Sequence, residues 1–491
     1  MTGFSKYLQA FVKKRKISMV DISKETGIDR TIVYRYIKGS RVPSNAGIVI
    51  KIANAMGMSD SEKKYLLEEY DKLLLGEPLV SSYQHVNKLI GALSERLHSF
   101  TSQLDKTQDL KMNSPVMELN SKGEIVAYIL ELFRFIAEKK NSSNKVCFIM
   151  QPFYREIQNL TLQLFNHSNI RIEQIVCLEQ NISRGYENLR VLQEVLPLCY
   201  VLSKYEIYYY YDLMDSHINA MSFMPNLIIA GNQVIQFDYK MDYGVVIKDS
   251  TYVKAIYKQY ELLRRETRSL LRGGSVLKIL PKFAKNKDLD IFYGAKKMVS
   301  RQLCISACLD REMLTNHIYS VSGKEEFIKA LLRRYGDWNG ETSLNFGKRS
   351  MVISYGTLKG MEEFMETGKI VEFPESLYSP LMPEERRIVL QRMIILMKQG
   401  CMSYRFMAND IDFPREVQLS CFNHQKIVVV NRVMESKILQ VMVDELSIYR
   451  TFSLYLEYLE KKNLYYSESE TLHCLENMLI DVMISEEKVN C

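Results

Sequence analysis

Residues 18 to 43 constrain this chain more than any other stretch. They read Ser18-Met-Val-Asp-Ile22-Ser-Lys-Glu-Thr-Gly27-Ile28-Asp29-Arg30-Thr31-Ile-Val33-Tyr34-Arg35-Tyr36-Ile37-Lys38-Gly39-Ser40-Arg41-Val-Pro43. Gly27 sits where two short helices must turn sharply, and glycine tolerates the positive φ such a turn needs. Asp29 is placed to cap the second helix. Ile22, Ile28, Val33 and Ile37 supply a buried side, which leaves Arg30, Thr31, Tyr34, Arg35 and Lys38 facing outward. Gly39 stops the helix. The pattern is helix, tight turn, helix, glycine stop, a geometry that places its second helix in a DNA major groove.

These residues resemble the Cro/lambda-repressor-like (Xre) family of DNA-binding domains. The resemblance runs from residue 4 to about 75 and implies five helices: Phe4 to Lys16, Met19 to Thr26, Arg30 to Lys38, Asn45 to Met56 and Ser61 to Leu75. Gly39, Arg41 and Pro43 after the third helix fit the family. Met19 stands where the family often has Gln, and Tyr36 where it often has Trp. The partner implied is double-stranded DNA. Arg30, Thr31, Tyr34 and Arg35 are expected at base edges and nearby phosphates, and Ser18, Lys38, Ser40 and Arg41 at the sugar-phosphate backbone.

Charge points the same way. Residues 1–43 hold ten Lys and Arg against three Asp and Glu, a net of +7, and the whole chain is also +7. A basic head on a neutral body is the footprint of a phosphate-binding module. The plainer reading of Lys13, Lys14, Arg15 and Lys16 is that they solvate the first helix.

A length of 491 residues allows about three domains. No apolar run approaches the ~18 residues of a membrane span, and no leader-like segment opens the chain. The nine Cys form no Cys-x-x-Cys pair, and Cys304 and Cys308 have no companion ligand pair. Neither a disulfide framework nor a metal site is expected, and the location expected is the cytoplasm. No cofactor motif is present.

After Gly76, apolar residues recur at Tyr83, Val86, Ile90, Leu93, Leu97, Phe100 and Leu104, an a/d spacing over three heptads. Two readings stay open: a coiled coil that makes a homodimer, as two operator half-sites would suit, or a helix packed on its own chain. Residues 105–121 read as a linker.

From about 122 the period switches between helix and strand. Helices are expected at Glu124 to Lys139 and Thr251 to Leu271. Strands are expected at Lys145 to Met150, Ile170 to Leu178, Tyr205 to Tyr211 and Tyr243 to Ile247, with a hairpin turning at Gly231-Asn232. The end of this block recurs near the C-terminus. Gly231 to Ile235 aligns with Asn423 to Ile427, and Gly244 to Asp249 with Gln440 to Glu445. Ile256, Tyr260, Glu261 and Leu263 align with Phe452, Leu456, Glu457 and Leu459. The fold class expected is multidomain: an all-α helix-turn-helix domain (1–76), a helical connector (77–121), and a duplicated α/β, mixed-sheet body (122–272 and 273–491).

His424-Gln-Lys426, followed by Asn431, resembles the His-x-Lys-x-x-x-x-Asp motif of the phospholipase D superfamily, with Asn in place of Asp. In that family two halves each give one His, one attacking phosphorus and the other protonating the leaving oxygen. The first half here has Asn232 and Val234 at the matching positions, so the pair is incomplete. The resemblance therefore implies a degenerate body in which His424, Lys426 and Asn431 hold an anion at most. The plainer reading of His424 is a surface residue at the start of a strand.

Weaker signals are the tyrosine run Tyr205 and Tyr208 to Tyr211, Trp338 in a turn, and Arg264, Arg265, Arg268 and Arg272, read as a basic stripe on a helix. The reading that absorbs most of these features is a sequence-specific DNA-binding transcription regulator, not an enzyme, whose body dimerises and senses an unknown small-molecule or peptide effector. Its alternatives are a DNA-tethered phosphodiesterase or nuclease, and a defence- or toxin-linked autoregulator.

Overall fold

The protein's computed structural model describes residues 2–94, 114–138, 145–166, 168–180, 185–212, 224–275, 296–335, 338, 352–408, 411–423, 426–433 and 438–489. The chain divides into two compact units, Met1–Val86 with Ser453–Asn463, and Asn87–Phe452 with Leu464–Cys491.

In the first unit, helices α1 (Gly3–Arg15), α2 (Met19–Thr26), α3 (Arg30–Lys38), α4 (Ala46–Ala55) and α5 (Asp60–Leu75) lie close to the ranges expected, and α6 begins at Glu77 and runs to Ser94. The starts of α1 to α5 are side-chain caps. Thr2, Ser18, Asp29, Asn45 and Ser59 accept backbone N–H groups that the helix itself leaves unpaired. Ser59 and Glu62 complete a reciprocal capping box. The ends shift by a residue for the same local reasons: Lys16 leaves α1 in a left-handed conformation, and Asn45 caps α4 rather than joining it. Phe4, Leu8, Ile22, Val33, Ile37, Val49, Leu66 and Tyr70 form the core. The Tyr70 hydroxyl, deep in that core, donates to the Pro43 carbonyl at 2.8 Å.

A remote segment completes this unit. The Tyr83 ring of α6 stacks on Tyr458 at 4.2 Å and on Tyr455 at 5.7 Å. Asp71 receives Lys462 at 2.8 Å and the Tyr458 hydroxyl at 3.1 Å. Val86, Ile90 and Leu93 are also buried. Tyr83, Val86, Ile90 and Leu93 are therefore covered within the chain, as the second of the two readings of this spacing expected. Apolar spacing states which residues will be covered and is silent on what covers them. Leu97, Phe100 and Leu104 lie outside the described residues.

The second unit holds two mixed sheets. The first takes β1 (Val116–Leu119), β2 (Lys145–Ile149), β3 (Arg171–Glu179), β4 (Tyr205–Asp212), β5 (Asn226–Ala230), β6 (Gln233–Phe237), β7 (Gly244–Ile247) and β8 (Arg268–Ser269). Its helices are α7 (Lys122–Glu138), α8 (Arg155–Phe165), α9 (Gly185–Val201) and α10 (Ser250–Glu266). The second sheet takes β9 (Leu271–Ser275), β10 (Lys296–Ser300), β11 (Val352–Thr357), β12 (Met402–Met407), β13 (Val417–Phe422), β14 (Ile427–Val433) and β15 (Ile438–Val443). Its helices are α11 (Arg311–His317), α12 (Lys324–Tyr335), α13 (Leu358–Thr367), α14 (Pro383–Lys398), α15 (Leu446–Lys461, whose residues from Ser453 onward belong to the first unit) and α16 (Glu468–Val489).

The strand orders are β1-β7-β6-β5-β2-β3-β4-β8 and β12-β11-β10-β13-β14-β15-β9. Read from β9, the second sheet repeats β1 to β4 of the first place for place. Parallel pairs match parallel pairs and antiparallel pairs match antiparallel ones. The exits match too: Asp249 after β7 caps α10, and Glu445 after β15 accepts Ser447 and Ile448 N–H groups at the start of α15.

Three expectations need correction. Val116–Leu119, read as linker, is an edge strand paired antiparallel with β7. The long helix stops at Glu266, because the next residues find better partners: Leu270 is buried and its N–H donates to the Ile207 carbonyl at 3.0 Å. Arg268 and Arg272 thus lie on strands β8 and β9, not on a helical stripe with Arg264 and Arg265. The proposed boundary at 272/273 cuts through β9, which pairs with β15.

Where the sheets meet, Asn188 on α9 donates to the Ser447 hydroxyl at 2.8 Å, and Ser447 donates to Glu445 at 2.7 Å. The Tyr211 hydroxyl reaches Glu445 at 2.5 Å. Gly185 packs so closely that a Cβ there would lie 2.7 Å from the Ser447 carbonyl oxygen. No helix among the described residues is long and apolar enough to cross a membrane.

Tyr83→Ala is expected to cost the first unit about 1–3 kcal/mol, since it removes two ring contacts and part of a buried side chain. Faster amide exchange in α6, by the same amount at every protein concentration, checks this. A loss that disappears on dilution would assign Tyr83 to a seam between copies instead.

Candidate nucleic-acid interface

Helix α3 has two opposed faces. Val33, Tyr36 and Ile37 are buried at 0%, 4% and 4% exposure. Arg30, Thr31, Tyr34, Arg35 and Lys38 are exposed, one stripe at the spacing a 3.6-residue turn provides. Tyr34 is 50% exposed.

Contacts with α1 fix how α3 sits. Gln9 donates its Nε2 to the Ile37 carbonyl at 2.9 Å. Gly39 takes φ +75°, and a Cβ there would fall 2.7 Å from Ser5 Oγ. Ser5 is itself fully buried. The carboxyl end of α3 therefore lies against α1 with no room between. At the other end Asp29 accepts the Thr31 N–H at 2.8 Å, and this bond holds its carboxyl below the ordinary aspartate range.

Every residue assigned to DNA contact is exposed: Ser18, Arg30, Thr31, Tyr34, Arg35, Lys38, Ser40 and Arg41. Several also have structural tasks. Ser18 Oγ caps α2 by accepting the Val20 N–H at 3.1 Å. The Ser40 N–H donates to the Arg35 carbonyl at 3.0 Å, closing the end of α3. Lys38 Nζ lies 5.7 Å from the centre of the Tyr34 ring, a cation over an aromatic face. Arg35 lies near enough to Asp29 for its charge to help hold that carboxyl low. Tyr36 fills the core position where the resemblance implied Trp.

The residues singled out in the body do not assemble into a site. His424 lies outside the described residues. Lys426 is exposed in the turn before β14, at φ +55°. Asn431 is five residues further along the strand, about 17 Å away at ~3.3 Å per residue. Its amide bonds Gln440 at 3.1 Å and Gln418 at 3.4 Å on the flanking strands. Lys426 and Asn431 thus do not converge on one anion, which corrects that expectation: spacing along a strand is distance, whereas along a helix it is adjacency. No group of three or more His, Cys, Asp or Glu among the described residues is arranged to hold a metal.

The other signals resolve as packing. Trp338 Nε1 donates to the Ala307 carbonyl at 2.9 Å, and the Arg392 guanidinium lies 5.0 Å from its ring centre. Tyr205 donates to Gln174 at 2.7 Å. Tyr210 lines a pocket together with Gln151, a residue that no sequence motif marks.

The family model described as Helix-turn-helix matches residues 8–63. A search of the curated proteins finds no match. Among solved structures, the chain is similar to TrmBL2, "an archaeal chromatin protein" described as showing "a novel mode of DNA binding". The identity is 10% and the TM-score 0.22, over 50% of this chain and 84% of that one. It is also similar to polyphosphate kinase from Porphyromonas gingivalis, at 8% identity and a TM-score of 0.19, over 67% of this chain and 47% of that one.

Gly39→Ala is expected to destabilise the first unit more than Gly57→Ala. Both glycines have positive φ, costing ~1–2 kcal/mol for any side chain, yet only Gly39 lacks space for a Cβ. Urea midpoints of the two variants check this; equal losses would mean that the α1–α3 contact relaxes freely.

Proposed function

We propose that this protein is a sequence-specific DNA-binding transcription regulator, in which α3 enters the major groove and the body governs it. The observation that carries the reading is the outward row Arg30, Thr31, Tyr34 and Arg35 on a helix whose opposite face is locked in the core. Side chains so placed match what base-edge readout needs: bidentate guanidinium donors, a hydroxyl, and a ring able to contact a thymine methyl. Ser18, Lys38, Ser40 and Arg41 flank the row, where they would meet phosphates and fix register. The net charge of the head supplies the attraction that is indifferent to sequence.

In this reading the body is regulatory and not catalytic. Its two sheets of like strand order support an ancestral duplication of one α/β unit. The phospholipase D-like character of His424, Lys426 and Asn431 belongs to the same proposal, as a relic without the second His that turnover by that mechanism requires. Binding as a homodimer at paired half-sites also belongs to the proposal, through surfaces other than the covered seam at Tyr83 to Leu93.

Arg30→Ala is expected to weaken binding to a selected operator by about 1–3 kcal/mol and to blur sequence preference, whereas Arg41→Ala weakens all duplexes alike. Titration of each variant against operator and random duplex at one salt concentration checks both. Equal losses on the two duplexes for Arg30→Ala would reject its base-reading role.

A further inference from the structure

We propose that Thr31 and Tyr34 form an apolar notch in the outward face of α3, and that this notch takes the C5-methyl group of a pyrimidine in the duplex. The notch depends on the same placement of α3 in the major groove that the proposed function requires.

The outward row is not uniform. Tyr34 stands one turn after Arg30 and one turn before Lys38, and Thr31 lies three residues before it. All four are exposed. Residues three apart on a helix are neighbours, so the Thr31 side chain and the Tyr34 ring lie side by side.

Thr31 lends its polar atoms to the start of the helix. Its N–H bonds the Asp29 carboxyl at 2.8 Å, its hydroxyl bonds the same group, and together they hold that carboxyl low. With the hydroxyl committed to the cap, Thr31 offers the groove its methyl. Helical side chains lean toward the amino terminus. Lys38 accordingly lies back over Tyr34, its Nζ 5.7 Å from the ring centre. Tyr34 in turn leans toward the turn that holds Thr31. The cation covers one side of the ring and leaves the side toward Thr31 to the groove.

The major groove shows hydrogen-bond donors and acceptors at every base pair, but a single kind of apolar group, the C5-methyl of thymine. Cytosine carries hydrogen at that carbon and gains the same methyl when it is methylated there. Arg30 and Arg35 present guanidinium donors, which suit guanine O6 and N7 and gain nothing from a methyl. Thr31 and Tyr34 are the pair in the row that match it. Covering one such carbon group is worth about four-fold in affinity. A purine at the same step would lose water from N7 and find no donor in the notch.

A duplex selected by the full chain from a random pool supplies the test. Each thymine in it is replaced in turn by deoxyuridine, which removes the methyl and nothing else. At least one replacement is expected to weaken binding about four-fold. Tyr34→Ala should bind that duplex and its deoxyuridine form equally, and Tyr34→Phe, which keeps the ring, should retain the difference. Thr31→Ser, which keeps the hydroxyl and removes the methyl, should shrink it. At the same step, 5-methylcytosine is compared with cytosine, each paired with guanine. Tighter binding of the methylated duplex would place 5-methylcytosine among the sources of the methyl, and equal binding would leave thymine as its source. No loss at any thymine, a difference that Tyr34→Ala or Thr31→Ser leaves whole, or a Tyr34→Phe variant that lacks it overturns the notch while selective DNA binding stands. A pool from which no duplex is retained removes the DNA reading itself, and the notch with it.

Discussion

The packing of Gly39 against Ser5 is the contact on which the amino-terminal unit turns. A helix of nine residues is too short to hold itself in water, so tertiary contacts must set its orientation. Val33 and Ile37 bury one face of α3, Gln9 ties down its last turn, and the absent side chain at residue 39 lets α1 approach. Once that face is committed, geometry leaves Arg30, Tyr34 and Arg35 nowhere to go but solvent. Exposure of this row is thus a consequence of core packing rather than an independent feature.

The body obeys a different economy. Two sheets of the same strand order need covering helices on their faces, and each has them. Their junction uses polar groups: Asn188, Ser447, Glu445 and Tyr211 satisfy one another in a chain of hydrogen bonds. Buried polar groups are tolerable only when so paired.

The helices of the head were legible in the sequence because their boundaries are written locally. Ser18, Asp29 and Gly39 each act within a few residues of themselves, and the errors at Lys16 and Asn45 are single cap positions. The alignment of Gly244 to Asp249 with Gln440 to Glu445 also anticipated two strands with like exits into capped helices. What escaped was set by partners distant in the chain. Four residues, Val116–Leu119, are too few to show a period, and only β7 makes them a strand. Leu270 and Leu271 continue a helical pattern on paper, but sheet edges claim them. The seam from Tyr83 announced burial without naming Tyr455 and Tyr458 as its cover.

The central claim is that the outward face of α3 reads bases. A photo-crosslinking side chain at position 34, Tyr34→p-benzoylphenylalanine, tests it on a duplex selected by the full chain from a random pool. The account predicts crosslinks from position 34 to bases within the selected sequence. A selected duplex that binds without any crosslink from that position, or a pool from which no duplex is ever retained at low salt, would contradict it.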